Sequence, residues 1–145
     1  MQAPTEIAGL AVAADWAAGE LDCPDLLVVG DLNAGGQFMR AADWTDCSLR
    51  GDQFTWLIED HQVGLDSLII SCIWPRQDTT ATATLAAYDR LIARGAGLGS
   101  AVGGAGVWRY ETELGLSQAE LLAISDHYPV WCKLQPAAHP GVQVQ

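Results

Sequence analysis

The chain has 145 residues, half of them apolar and 17% charged, a balance that argues against disorder and predicts one domain with a hydrophobic core. Its formal charge of -11, with only seven Lys and Arg, sets up a field that repels nucleic acid, so composition alone favours a divalent-cation site over a phosphate-binding surface. No apolar run reaches the roughly 18 residues of a membrane span, and Met1 is not followed by the basic and apolar segments of a secretory signal, so a soluble chain is expected.

Residues 4–20 place Ile7, Leu10, Ala11 and Ala14 at helical spacing behind Pro4, which is tolerated in a first turn, and predict a helix with one buried face. Asp22 to Pro24 break it. The run of Leu26, Leu27, Val28 and Val29 before Gly30 reads as a strand buried on both faces. Residues 31–37 are loop chemistry, and 39–49 are weakly helical. Further strands are expected at 54–58, 88–93 and 130–134. Glycines 95, 97, 99, 103, 104 and 106 predict a flexible surface loop, since no Gly-Lys-Ser/Thr closes a phosphate cradle. Ser117 and Glu120 have the spacing of a capping box, so a short helix should begin there. Residues 137–145 are expected to fray. The four cysteines, Cys23, Cys47, Cys72 and Cys132, have no zinc spacing and read as scattered buried thiols.

Several residues carry possible chemistry. Asp31 and Asn33, in GDLN after a strand, place two oxygens where α/β sheets put ligand groups; they suit Mg²⁺, although GDLN is also a good turn. Asp126 and His127 pair a metal-binding carboxylate with a general acid or base of ordinary pKa about 6.5, or are simply turn residues. Asp89, in an apolar strand, needs a partner, and His127 is the economical choice. Asp78, Thr80, Thr82 and Thr84 alternate in DTTATAT and would form an oxygen-rich row suited to Ca²⁺ if extended; a solvated edge strand is the equal alternative.

Taken in order, GDLNA, FTWLIED, DTTATAT, AAYDRLI and AISDHYPV resemble the deoxyribonuclease I family of the endonuclease/exonuclease/phosphatase superfamily, over its C-terminal half. The resemblance implies an α/β fold: half of a four-layer αββα sandwich, one mixed sheet with flanking helices, over residues 1–136. It implies metal-dependent hydrolysis of DNA phosphodiester bonds giving 5′-phosphate ends, with Mg²⁺ or Mn²⁺ held by Asp31, Asn33 and Asp126. Asp89 and His127 would be catalytic, Thr84 and Tyr88 phosphate-binding, and Asp78, Thr80, Thr82 and Thr84 a Ca²⁺ loop. It also implies a secreted protein, although this chain carries no signal.

The sequence departs from the family in three ways. The family's other catalytic histidine, its glutamates and its groove arginines precede the region matched, so the chain is expected to be inactive alone. The positions of the family disulfide are Gly36 and Ala86, so that clamp, often worth roughly 2–4 kcal/mol, is lost. Residues 63–77 are an insertion, read as translated intron because Val codons begin with GT and Gln77 can be encoded by CAG, with a surface loop as the alternative. A half-sandwich should expose an apolar face and self-associate or bind a complementary N-terminal half. The rival functions are a non-catalytic Ca²⁺- or DNA-binding module and a small-substrate phosphatase of the same superfamily.

Overall fold

The computed structural model describes residues 3–59, 77–82 and 86–135. Most of the insertion, Thr84, Cys72 and the C-terminal tail lie outside the described residues.

Helix α1 (Ala3–Glu20) buries Ala3, Ile7, Ala11 and Ala14 on the expected face. It ends in a Schellman turn: the N–H of Cys23 donates to Ala18 and that of Asp22 to Gly19, with Asp22 at a φ of 48° in the left-handed position that glycine usually takes. Strand β1 (Leu26–Asp31) follows. A 3₁₀ turn (Gly36–Phe38), helix α2 (Ala41–Thr45) and a second 3₁₀ turn (Ser48–Arg50) occupy the weakly helical stretch, and lead to β2 (Phe54–Trp56). Then come β3 (Asp89–Arg94), α3 (Ala96–Ala101), β4 (Val102–Val107), α4 (Tyr110–Leu114), α5 (Gln118–Ile124) and β5 (Val130–Leu134).

The α/β class holds, with one refinement: the strands divide between two sheets, both antiparallel, in place of one mixed sheet. The first has the order β1-β3-β2 and the second pairs β4 with β5. Register explains the layering. Val28 lies opposite Ile92, and both pack with Ile7, Ala11, Phe54 and Trp56 beneath α1. Val29 lies opposite Leu91 and so shares the other face, where Leu91, Ile58 and Ala87 pack on Val107, Val130 and Cys132 of the second sheet. The chain therefore contributes to both sheets of a sandwich as well as to an outer helix.

Central strand β3 is buried along its middle, whereas edge strand β1 alternates; Leu27 and Val29 are exposed, so the expectation of burial on both faces fails for β1. Among the described residues the second sheet lies against β3 and leaves the outward side of β1 open. The described cysteines, Cys23, Cys47 and Cys132, are free and only partly buried.

The glycine-rich stretch is ordered, contrary to expectation, and its glycines serve close approach. A Cβ on Gly106 would lie 3.2 Å from the indole of its cross-strand partner Trp131, which covers the strand in place of a local side chain. A Cβ on Gly95, whose φ is 91°, would overlap the Asp25 carboxylate and come within 2.7 Å of the Pro24 carbonyl. That carboxylate accepts the Leu98 N–H at 2.9 Å, holding the start of α3 against the turn before β1. Among the described residues no helix is long and apolar enough to cross a membrane. The capping box forms as expected, Ser117 N–H donating to Glu120 at 2.9 Å and Glu120 N–H to the Ser117 hydroxyl at 3.4 Å.

Gly95→Ala adds both steric overlap and positive-φ strain, so it should lower the unfolding free energy of the chain by about 2 kcal/mol, measured by urea unfolding, while Gly9→Ala in α1 should be neutral or stabilising by up to about 1 kcal/mol.

Candidate active site

Strand pairing brings the candidate residues together. Asp31, the last residue of β1, lies directly across from Asp89, the first of β3. The Asp89 carboxylate meets Nδ1 of His127 at 2.7 Å, with both side chains partly buried. This is the partner the buried carboxylate required, and it fixes the imidazole so that Nε2 is the ring atom turned away from Asp89.

The turn carrying His127 is sewn to the segment 78–81. His127 bridges Thr80, the Ala81 N–H donates to the Asp126 carbonyl at 2.7 Å, and the Tyr128 N–H donates to the Thr79 carbonyl at 2.7 Å. Residues Asp78, Thr79, Thr80 and Ala81 are all buried and Thr82 is exposed. Thr84 lies outside the described residues.

Thr79 is the residue that sequence reasoning passed over. It is fully buried, and its hydroxyl oxygen accepts the N–H of Tyr88 at 2.9 Å and of Asp89 at 3.0 Å. No local pattern announces it, because its partners are distant in sequence.

Asp31 also orders its own loop. Its Oδ1 accepts the Asn33 N–H at 2.9 Å, with Asn33 at a φ of 48°, so GDLN is a turn as well as a possible ligand pair. Behind this loop the fully buried Arg90 donates to the carbonyls of Ala34 and, at 2.8 Å, Ile58, beneath the Trp56 ring. Tyr88 is buried, its ring edge-on to Phe38 at 5.4 Å. A Cβ on Gly36 would lie 3.1 Å from that of Ala86, so the two positions matched to the family disulfide are neighbours in space.

Three carboxylates set the electrostatics. Burial pulls the His127 pKa down, but the hydrogen bond and charge of Asp89, joined by the charges of Asp31 and Asp126, outweigh it and leave the value raised. Asp31 and Asp126 are exposed and Asn33 partly so. Two solvent-facing carboxylates and an amide are the oxygen donors that suit Mg²⁺, which keeps several of its waters. Among the described residues, however, no three His, Cys, Asp or Glu side chains converge as a metal-enclosing cluster. Burial pushes the Cys47 thiol pKa up, away from the thiolate.

Two antiparallel sheets thus bring together an Asp–His pair and two nearby carboxylates, Asp31 and Asp126, groups suited to proton transfer and to donating oxygens. Comparison with known proteins gives the kinship. Deoxyribonuclease-1 of Bos taurus is 38% identical over 109 residues, which are 73% of this chain and 33% of the relative. Deoxyribonuclease-1 of Canis lupus familiaris is 36% identical over 119 residues, 80% of this chain and 37% of the relative. Deoxyribonuclease-1-like 2 of Homo sapiens is 38% identical over 109 residues, 73% and 31% respectively. The chain is thus homologous to part of the deoxyribonuclease I family, and the match spans about a third of these relatives' length. No family model matches the chain.

Because the His127 pKa is raised on folding, the Asp89–His127 pair contributes stability in full below the unfolded value of about 6.5, and that contribution is lost as pH rises through the folded value. With divalent ions chelated, the melting temperature of the wild type should therefore fall as pH climbs from about 6 to 8, and Asp89→Asn should flatten that dependence; parallel curves for the two proteins would refute the assignment.

Proposed function

We propose that this chain is the part of a deoxyribonuclease I-type phosphodiesterase that carries one acid–base histidine and one half of the metal site. In this reading His127 moves the proton, with Asp89 setting its orientation and tautomer. Asp31, Asn33 and Asp126 bind Mg²⁺ or Mn²⁺, which would supply charge stabilisation at the scissile phosphate and activate water. The observation that carries the reading is the 2.7 Å contact of Asp89 with His127 at a strand end flanked by Asp31 and Asp126. The names of the homologous proteins support the substrate class, DNA.

The same reading makes the isolated chain inactive. Catalytic groups that act as a unit fail together, and the chain spans about a third of its relatives. Affinity for DNA should also be poor: Arg40, Arg50 and Arg94 are paired with Asp43, Glu59 and Asp15, and Arg90 is buried. Plasmid nicking in Mg²⁺ and Ca²⁺ tests this. The folded chain should nick no faster than His127→Ala; nicking that disappears in His127→Ala would overturn the half-site argument.

The open side of β1 is where we place a missing partner. Leu27 and Val29 are exposed on one face of β1, which is also an edge strand among the described residues, so both an apolar face and a row of backbone groups are offered to another chain. The purified chain should sediment as an oligomer, and Val29→Lys should shift it towards monomer. A wild-type chain that sediments as a monomer at all concentrations tested would count against it.

A further inference from the structure

We infer that Thr79 is a positioning residue for the Asp89–His127 pair, an inference that rests on the functional reading above. The argument begins with what must be held. Asp89 opens β3 of the first sheet and His127 lies in the turn before β5 of the second, so their 2.7 Å contact depends on how that turn is joined to the first sheet.

Thr79 touches both sides of that join. Towards Asp89, its hydroxyl oxygen accepts two successive N–H groups, those of Tyr88 and Asp89, and its own N–H donates to the Ala86 carbonyl at 3.0 Å. Two donors on one oxygen fix the orientation of the Tyr88–Asp89 peptide, and with it the first side chain of β3. Towards His127, the Thr79 carbonyl accepts the Tyr128 N–H. The bridge between Thr80 and His127 continues the same seam. The Tyr88 carbonyl in turn accepts the Leu32 N–H at 3.0 Å, so the loop bearing Asp31 and Asn33 hangs from the peptide that Thr79 anchors.

Burial makes the oxygen matter. Thr79 is wholly inaccessible and Tyr88 nearly so, so water cannot replace the hydroxyl when it is removed. Thr79→Val keeps the shape of the side chain but leaves the buried Tyr88 N–H and the part-buried Asp89 N–H without this acceptor. Thr79→Ser keeps the oxygen and loses only a methyl group.

The test reads the His127 ring directly, without requiring that the chain cut DNA, so it can fail while the functional reading stands and succeed while that reading fails. Long-range ¹H–¹⁵N spectra of the full chain, with divalent ions chelated and at a pH where the ring is neutral, should show the proton fixed on Nδ1 in the wild type and in Thr79→Ser. In Thr79→Val that tautomer preference should be lost, and exchange of the Tyr88 and Asp89 amides should rise about tenfold, the size expected from losing one hydrogen bond. Ile92→Val, which loosens the core beneath α1, serves as the destabilised control and should keep the preference. The proposal is overturned if Thr79→Val retains the tautomer, if Thr79→Ser loses it, or if Ile92→Val loses it equally. Should Thr79→Val fail to fold, wild-type amide exchange decides: Tyr88 and Asp89 must be as protected as Ala81 and Tyr128, and rapid exchange at the first two alone would sink the idea.

Discussion

Strand β3 has a hydrogen-bonded neighbour on each edge and a hydrophobic cluster on each face, and the positions of the candidate site residues follow from that double constraint. Its side chains alternate between the helix-covered layer, which takes Arg90 and Ile92, and the inter-sheet layer, which takes Leu91. A slip of one residue in its pairing would move Arg90 into the inter-sheet layer and Leu91 beneath α1. Register is therefore strongly specified, and it is register that sets Asp31 across from Asp89. Arg90 can be buried only because carbonyl oxygens from Ala34 and Ile58 meet its guanidinium. In meeting them it holds the far side of the loop whose near side carries Asp31 and Asn33.

Charge gives the chain a second constraint. An acidic protein cannot approach a polyanion through its general field, and the described arginines are largely spent on structure, in ion pairs with Asp15, Asp43 and Glu59 or in the core. The carboxylates around His127 deepen the problem locally, because a phosphate group entering among Asp31, Asp89 and Asp126 meets like charge. In the proposed function a divalent cation would resolve both difficulties at once, neutralising the carboxylates and attracting the phosphate. The acidity that makes the composition look hostile to nucleic acid is thus the condition for the cation on which the proposed chemistry depends.

The parts of this arrangement that were legible in the sequence are those decided by local chemistry. Helix α1, the strand from Val130 to Leu134 and the Ser117–Glu120 cap follow from periodicity and short-range hydrogen bonding. The need of Asp89 for a partner was also legible, because an apolar strand cannot leave a carboxylate alone. What could not be read is whatever depends on the partner across the sheet. Gly104 and Gly106 look like loop residues until Trp131 is laid over them, and β1 looks buried on both sides until its outer neighbour proves absent among the described residues. The burial of Asp78 to Ala81 was not legible either, because the segments that bond to them come from elsewhere in the sequence. Thr79 was invisible for the same reason, its importance lying in four hydrogen bonds to residues outside its own turn.

The open edge and the candidate site share one strand. Asp31 ends β1 with Asp89 on one side, and the other side of β1 is without a strand among the described residues. A strand added there would run about 5 Å from β1, and its residues opposite Asp31 would flank the carboxylates on the side away from His127. Leu27 and Val29 project from the face of the sheet on which Leu91 meets the second sheet, so a strand added at the edge would leave them to be covered from that side. Edge and face are two separate places at which the fold can be extended beside Asp31.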